Sequence, residues 1–211
     1  MTTPDPPPPS LRELKKQRTR VRLSDTAVRL FLEKGYDAVS VAEVAAAADV
    51  SKPTLFRYFP SKEDLVLYRF ADHEDEAARV VAGRGDGESA VGALRGSFLA
   101  GLARRDPVTG LCDHPEVLAF LRLLYGTPSL VARMHGYQER SERALARALG
   151  GPEVEARLAA GQIVAVQRIL AEENVRRITA GETADGVEAD AVRAAELGFR
   201  QLEEGVGRRY G

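Results

Sequence analysis

The chain has 211 residues, of which 44% are hydrophobic and 6% aromatic, and its formal net charge is -1 at pH 7. Its single cysteine, Cys112, excludes an internal disulfide framework. No stretch approaches the roughly 18 uninterrupted apolar residues of a membrane span, and the start MTTPDPPPPS lacks the basic and apolar regions of a signal peptide. We therefore expect a cytoplasmic protein with no membrane partner.

The composition favours helices, because Ala, Leu, Arg and Glu are abundant, and we predict an all-α fold. Charge is divided unevenly along the chain. Residues 1–62 carry 11 Lys and Arg against 7 Asp and Glu, whereas residues 63–211 carry 19 against 24. A basic end joined to an acidic body is typical of a polyanion-binding module attached to a ligand or partner module, although a random distribution also produces so small a difference.

The first 22 residues differ sharply in character along their length. Residues 1–10 are rich in proline, and we predict a disordered tail. Residues 11–22 hold six basic residues and one acid, which fits either a solvated, frayed start of a helix or an arm that touches DNA phosphates or the minor groove. The candidates for such an arm are Arg18, Arg20 and Arg22.

A helix is predicted from Thr19 to Lys34, because its apolar residues recur on one face. Gly35 follows at the position where glycine commonly ends a helix, and Tyr36 then returns toward the core. This helix would brace the stretch that follows it.

Residues 40–62 predict two short helices joined by a tight turn. Ser40 can cap the first helix and form a capping box with Glu43 three residues later. Asp49 can carry the turn, since aspartate tolerates a left-handed backbone better than most residues. Ser51 can cap the second helix, and Pro53 fits in its first turn.

The second short helix would turn Leu55 and Phe59 inward and leave a basic and polar row outside. Pro60 would end it, and Ser61 would cap the next helix. The outward residues are Lys52, Thr54, Arg57 and Tyr58. This pattern is typical of a helix-turn-helix whose second helix enters a DNA major groove, but an ordinary helical hairpin has a similar pattern.

Further helices follow by the spacing of apolar residues and the position of glycines and prolines. The predicted ranges are one long linking helix from Ser61 to about Val81, then 88–104 and 114–125, a helix that follows a break at 126–129 and reaches about Leu149, and finally 153–179 and 187–209. The last two carry apolar stripes that either cover the core of one chain or form a two-fold four-helix interface.

The run VSKPTLFRYFPSKEDL, preceded by TAVRLFLEKGYDAVSVAEVAAAADV, resembles the DNA-binding domain of the TetR (tetracycline-repressor) family of transcription regulators. The resemblance covers about residues 18–77. It implies an N-terminal three-helix helix-turn-helix DNA-binding domain over 11–65, with its motif at 40–59. It also implies a larger C-terminal helical domain over 66–211 for effector binding and dimerisation.

The same resemblance implies a DNA-binding role for individual positions, and these comprise Ser40, Val41, Ser51, Lys52, Pro53, Thr54, Phe56, Arg57, Tyr58 and Lys62. The ammonium of Lys52 would contact guanine, and Pro53 or Phe56 would pack on a thymine methyl. The hydroxyl and lysine groups at positions 54, 58 and 62 would grip phosphates, and position 57 suits either role. The chain departs from some relatives at Ala42, which cannot reach a base, and at Asp49, where glycine is more usual.

The resemblance also implies a small-molecule pocket in the helical body, whose occupancy moves the linking helix and changes the spacing of the recognition helices. Candidate lining residues are Tyr68, His73, Phe98, Phe120, Tyr125, Met134, Tyr137 and Arg168, although each alone equally suits a core or surface position. It favours the two-fold interface for the last two helices, with Ile163, Val166, Leu170, Val192, Ala195, Phe199, Leu202 and Val206 as candidate interface residues.

Together these features predict a sequence-specific, ligand-responsive repressor that binds a palindromic DNA operator as a homodimer and is released by an unidentified small-molecule effector. An activator fits the same pattern. The alternative hypothesis is a helical small-molecule-binding protein or enzyme with an inert N-terminal scaffold. We expect no cofactor or metal, because Cys112, Asp113 and His114 do not match zinc-ligand spacing, and no catalytic signature indicates an enzyme.

Overall fold

The computed structural model describes residues 10–207 and, within this range, the side chains of all residues but 71, 72, 206 and 207. This part of the chain contains helices and turns and no strand, so the predicted all-α fold is confirmed. It forms two compact units, divided between Arg69 and Phe70. The predicted tail, apart from its last residue Ser10, lies outside the described residues.

The first unit contains four α-helices: α1 (Leu11–Lys34), α2 (Val41–Ala47), α3 (Lys52–Tyr58) and α4 (Lys62–Leu67). Helix α1 begins eight residues before the predicted start at Thr19. Ser10 explains the early start, because its side chain accepts a hydrogen bond from the Glu13 amide while the Glu13 carboxylate accepts one from the Ser10 amide. The basic stretch 11–22 is therefore the first half of a regular helix.

Helix α1 packs one of its faces into the hydrophobic core of the first unit. Its inward residues Leu23, Ala27, Leu30 and Phe31 are almost fully buried, as the spacing of apolar residues predicts. The buried Ser24 hydroxyl donates to the backbone carbonyl of Leu65 at 2.7 Å, which fastens α1 to α4. The short helices α2 and α3 are thus held on a rigid base.

The prediction of one long helix from Ser61 to about Val81 is wrong. Helix α4 ends at Leu67, a 3-10 segment covers Tyr68–His73, and α5 (Glu76–Ala82) begins after it. No proline or glycine occurs between residues 62 and 82. The interruption therefore has no local marker in the sequence.

The second unit consists of α5 and five longer helices with short connections. These are α6 (Ala90–Ala103), α7 (Pro115–Gly126), α8 (Pro128–Leu149), α9 (Glu153–Thr179) and α10 (Ala184–Leu202), with a 3-10 turn at Pro107–Thr109 and a π turn at Glu203–Gly207. Helix α9 has the predicted limits, and α8 ends at Leu149 as predicted but begins inside the predicted break, at Pro128. Helix α10 begins three residues before the prediction, and the predicted end at Arg209 lies outside the described residues.

Four of the eight residues predicted for the dimer interface face the core of the same chain, so the prediction is wrong for these four. Ile163, Ala195, Phe199 and Leu202 are 0 to 4% exposed and belong to the hydrophobic core of the second unit. Phe199 also packs on Phe98, with ring centroids 5.8 Å apart. Helical periodicity identifies an apolar face, but it does not identify the partner of that face.

Three further members of the stripe are only partly buried, and two of them, Val166 and Leu170, lie beside Gly198 of α10. Val166, Leu170 and Val192 are half-buried against the core, and the side chain of Val206 lies outside the described part. A Cβ at Gly198 would stand only 2.9 Å from Val166 Cγ1. The glycine therefore lets α10 approach α9 within one chain.

Among the described helices, none is by itself long and apolar enough to cross a membrane. Only the pair α7 and α8, taken together across a 94° bend, has sufficient length and apolar composition.

Candidate nucleic-acid interface and effector cavity

The turn between α2 and α3 is built by the residues predicted for it. The Ser51 hydroxyl accepts a hydrogen bond from the Thr54 amide at 3.2 Å, and Asp49 adopts a left-handed backbone with φ 53°. Ser40 likewise caps α2 through the Glu43 amide at 3.1 Å. The Glu43 carboxylate also forms an ion pair with Lys34, at 2.5 Å from its Nζ, and this hydrogen bond is the main cause that lowers the pKa of Glu43.

Helix α3 has the predicted orientation. Leu55 and Phe59 are 0 and 3% exposed, whereas Lys52, Pro53, Phe56 and Arg57 lie on the open side. The Lys52 ammonium is 5.9 Å from the Phe56 ring centroid. The open side therefore combines cations with an aromatic ring, the chemistry that can meet both a guanine edge and a thymine methyl.

The residues flanking this row are less open. Thr54 and Tyr58 are half-buried, and the Thr54 hydroxyl lies 2.8 Å from that of Ser51. Ser40 is exposed and Val41 half-buried at the start of α2. These hydroxyls and the first amides of α2 are suited to phosphate contacts.

Lys62 occupies a different environment from the predicted phosphate contact. Its ammonium donates to the backbone carbonyl of Tyr36 and lies 4.0 Å from the Tyr36 ring centroid and 5.2 Å from that of Phe31. Burial lowers the pKa of this ammonium, against the opposing effect of Asp37 and Glu63. The side chain thus braces the link between α1 and α2.

Replacing Lys62 with methionine should lower the free energy of unfolding by about 1–2 kcal/mol, because a charged hydrogen bond and a cation–π contact are lost. Denaturation followed by circular dichroism measures this change. Lys15→Met, on the exposed side of α1, is the control and should leave stability unchanged. If Lys62→Met left stability unchanged and made the salt dependence of DNA binding shallower, Lys62 would instead be a phosphate contact.

The turn residue Asp49 permits a test of backbone strain. At φ 53° a residue with a Cβ is strained relative to glycine. Asp49→Gly should therefore stabilise the protein by about 0.5 kcal/mol, the net of relieved strain and greater entropy of the unfolded chain. Thermal melting compares it with Asp37→Gly, which changes an exposed aspartate outside the left-handed region and should give no gain.

The predicted basic arm lies on α1. Arg18 and Arg22 are exposed and Arg20 is half-buried on this helix. All three arginines thus belong to a regular helix, and their contact with DNA stays a prediction.

The second unit encloses a cavity of about 200 Å³. Six of the eight predicted lining residues lie on its wall, namely His73, Phe98, Tyr125, Met134, Tyr137 and Arg168. Tyr68 does not, since it packs edge-on against Phe59 in the first unit at 5.4 Å between centroids. Phe120 is also absent from the wall and packs instead against Phe70.

Sequence reasoning missed several polar lining residues, including Glu76, Arg104, Gln138, Gln167 and Glu172. Glu172 follows Arg168 by four residues, so it lies on the same face of α9, and the two form an ion pair at 2.8 Å. This spacing was a usable signal. Arg104, which caps the C-terminal end of α6, also lies on the cavity wall and has no comparable signal in the sequence.

Two of the residues considered as metal ligands, Cys112 and Asp113, take part in the fold instead. The Asp113 carboxylate accepts a hydrogen bond from the Ala184 amide at 2.8 Å, at the start of α10, and Cys112 is buried. Within the described residues, no group of three His, Cys, Asp or Glu side chains is placed to hold a metal ion.

Comparisons with known proteins agree with the helix-turn-helix architecture. The family described as "Bacterial regulatory proteins, tetR family" matches residues 23–68. The HTH-type transcriptional regulator TcmR of Streptomyces glaucescens is 35% identical over 153 residues, which cover 72% of this chain and 68% of TcmR. A TetR transcriptional regulator from Rhodococcus sp. RHA1 is 25% identical, with a TM-score of 0.53 over 88% of this chain and 98% of that structure.

A further solved structure shares the fold at lower identity. NalD of Pseudomonas aeruginosa, the secondary repressor of the MexAB-OprM multidrug efflux pump, is 18% identical, with a TM-score of 0.56 over 86% of this chain and 97% of NalD.

Proposed function

We propose a specific mechanism for this chain, which belongs to the tetR family of bacterial regulatory proteins and is a DNA-binding transcriptional regulator. In this proposal it represses transcription as a homodimer on a palindromic operator, and a small-molecule effector releases it from the DNA. We assign DNA binding to the first unit, and dimerisation and effector binding to the second. The observation that carries the proposal is the open side of α3, where Lys52, Phe56 and Arg57 are exposed while Leu55 and Phe59 anchor the helix.

On DNA, α3 would lie in the major groove. Lys52 would donate to guanine O6 or N7, and Pro53 or Phe56 would pack on a thymine methyl. Ser40, Ser51, Thr54 and Tyr58 would contact phosphates and fix the orientation of the helix. Arg57 is exposed and suits either a base edge or a phosphate.

Replacing Tyr58 with phenylalanine removes one hydroxyl at a proposed phosphate contact and keeps the ring. Binding should weaken by a similar factor, about threefold to tenfold, for every DNA sequence, because such a contact positions the protein without specifying a base. Fluorescence anisotropy with one specific and one scrambled duplex measures both affinities. Loss confined to the specific duplex would contradict the phosphate role.

One recognition helix contacts few base pairs, so two must act together, about one helical turn or ~34–36 Å apart. We propose that the second copy docks on the outward face of α9 and α10. Leu158, Ile169 and Leu197 are 62, 56 and 55% exposed there. They replace the buried stripe that periodicity suggested. Single exposed apolar residues are common on surfaces, and the proposal rests on three of them occurring on the last two helices.

Selection of bound sequences from random duplex DNA tests the proposed function most broadly. We expect enrichment of a palindrome with half-sites about one turn apart. Selected sequences without two-fold symmetry would contradict the dimeric operator, and failure to enrich any sequence at low salt would contradict specific DNA binding.

A further inference from the structure

The cavity of the second unit is lined by an internally paired set of charges. Arg168 and Glu172, both on α9, join guanidinium and carboxylate at 2.8 Å, and each side chain is 39% exposed. Because opposite charges at this distance largely cancel, the pair offers hydrogen-bonding groups to a ligand but no net charge.

A second polar cluster on the cavity wall also pairs its carboxylates, one with an imidazole and one with a guanidinium. Glu76 Oε2 lies 2.7 Å from His73 Nδ1, and Arg104 Nη2 lies 3.8 Å from Asp106 Oδ2. The hydrogen bond from His73, with further attraction from Arg79 and Arg104, lowers the pKa of Glu76 below its usual value. Each of these carboxylates thus has a donor or a cation beside it.

The remaining polar groups on the wall are uncharged. Burial raises the pKa of Tyr125 and of Tyr137, so both phenols stay protonated at neutral pH. Gln138 and Gln167 add amides, while Phe98 and Met134 provide apolar surface. The volume of about 200 Å³ is below the roughly 300–1,000 Å³ of sites for drug-sized ligands.

We propose that the effector is a small uncharged molecule with an apolar, ring-containing body and one or more hydroxyl or carbonyl groups, and that the Arg168–Glu172 pair selects against ligands of net charge. This inference rests on the proposed function of the cavity as the effector site. A charged ligand would lose its hydration without gaining an ion pair in the cavity. The uncompensated cost of desolvation would weaken its binding relative to an uncharged ligand.

Three probes of nearly equal shape separate charge from size: para-phenylphenol, para-phenylbenzoate and protonated para-phenylbenzylamine. Isothermal titration of the full chain at neutral pH, without DNA, should show the phenol binding about tenfold more tightly than either ion. Equal or tighter binding of an ion, or no binding of the phenol, would overturn the inference.

Two variants should each remove the preference for the phenol over one of the two ions, and the ion that gains should differ between them. Glu172→Gln leaves the Arg168 guanidinium unpaired, so the benzoate should gain about tenfold relative to the phenol. Arg168→Gln leaves the Glu172 carboxylate unpaired, so the ammonium probe should gain instead. The double variant has neither charge, so it should again bind the phenol more tightly than either ion. Unchanged preferences in correctly folded single variants would also overturn the inference.

The neighbouring residue on α9 supplies a matched control. Glu173 pairs with Arg176 at 2.6 Å and does not line the cavity. Glu173→Gln should therefore leave all three affinities unchanged. Release of bound DNA by the phenol is measured separately, so that a failure of regulation is distinguishable from a failure of the charge preference.

Discussion

Replacing Lys52 with alanine should weaken binding to the selected operator about a hundredfold and broaden the base preference in both half-sites. A specific lysine contact with guanine contributes ~1–3 kcal/mol, and a symmetric dimer loses it twice, so a total of about 3 kcal/mol is a moderate expectation. The Lys52 side chain is exposed on α3, and its ammonium lies 5.9 Å from the Phe56 ring centroid. Its loss should therefore leave stability unchanged.

Lys16→Ala is the control for that experiment, because it removes an equal charge from the exposed side of α1. It should weaken specific and scrambled duplexes alike, if it weakens them at all. Anisotropy titrations and a repeated selection from random duplexes give the affinity and the base preference. A Lys52→Ala protein that kept the parent's affinity and consensus would show that α3 docks in another way.

Replacing Leu197 with glutamate should convert the dimer to monomers and abolish operator binding. Two carboxylates would be brought together in an apolar contact, at a cost of about 2 kcal/mol or more per copy, which raises the dissociation constant about a thousandfold. Leu197 is 55% exposed in one chain. The substitution should therefore leave the helical circular dichroism signal and the melting of each chain nearly intact.

Leu197→Met is the conservative comparison and should stay dimeric, since it keeps an apolar side chain of similar volume. Sedimentation velocity gives the mass of each variant at matched concentration. A dimer that survived Leu197→Glu and also Ile169→Glu would place the interface elsewhere on the second unit.

The helix-turn-helix could be predicted closely because its signals are local. Serines before helices, a residue able to adopt a left-handed turn, and inward residues four apart each act within one or two turns of chain. Ser51, Asp49 and the pair Leu55 and Phe59 therefore lie as expected. The early start of α1 at Ser10 is also a local signal, visible as a serine three residues before Glu13, and could have been found.

Features that depend on packing could not be predicted in the same way. The face of α10 that carries Ala195 and Phe199 is apolar whether its partner is α9 of the same chain or a second copy, and only the fold decides. The interruption at Tyr68–His73 has no glycine or proline to mark it. The position of Lys62 in the sequence predicts a phosphate contact, but its ammonium lies against the rings of Tyr36 and Phe31.

The central claim is that two copies present two α3 helices to one palindrome, and native mass spectrometry of the protein with the selected duplex tests it most directly. We expect two chains, or a multiple of two, on the intact palindrome. We also expect much weaker binding when one half-site is scrambled, and loss of the complex for Leu197→Glu. A single chain bound to the duplex, with equal affinity for the intact and half-scrambled sites, would contradict it.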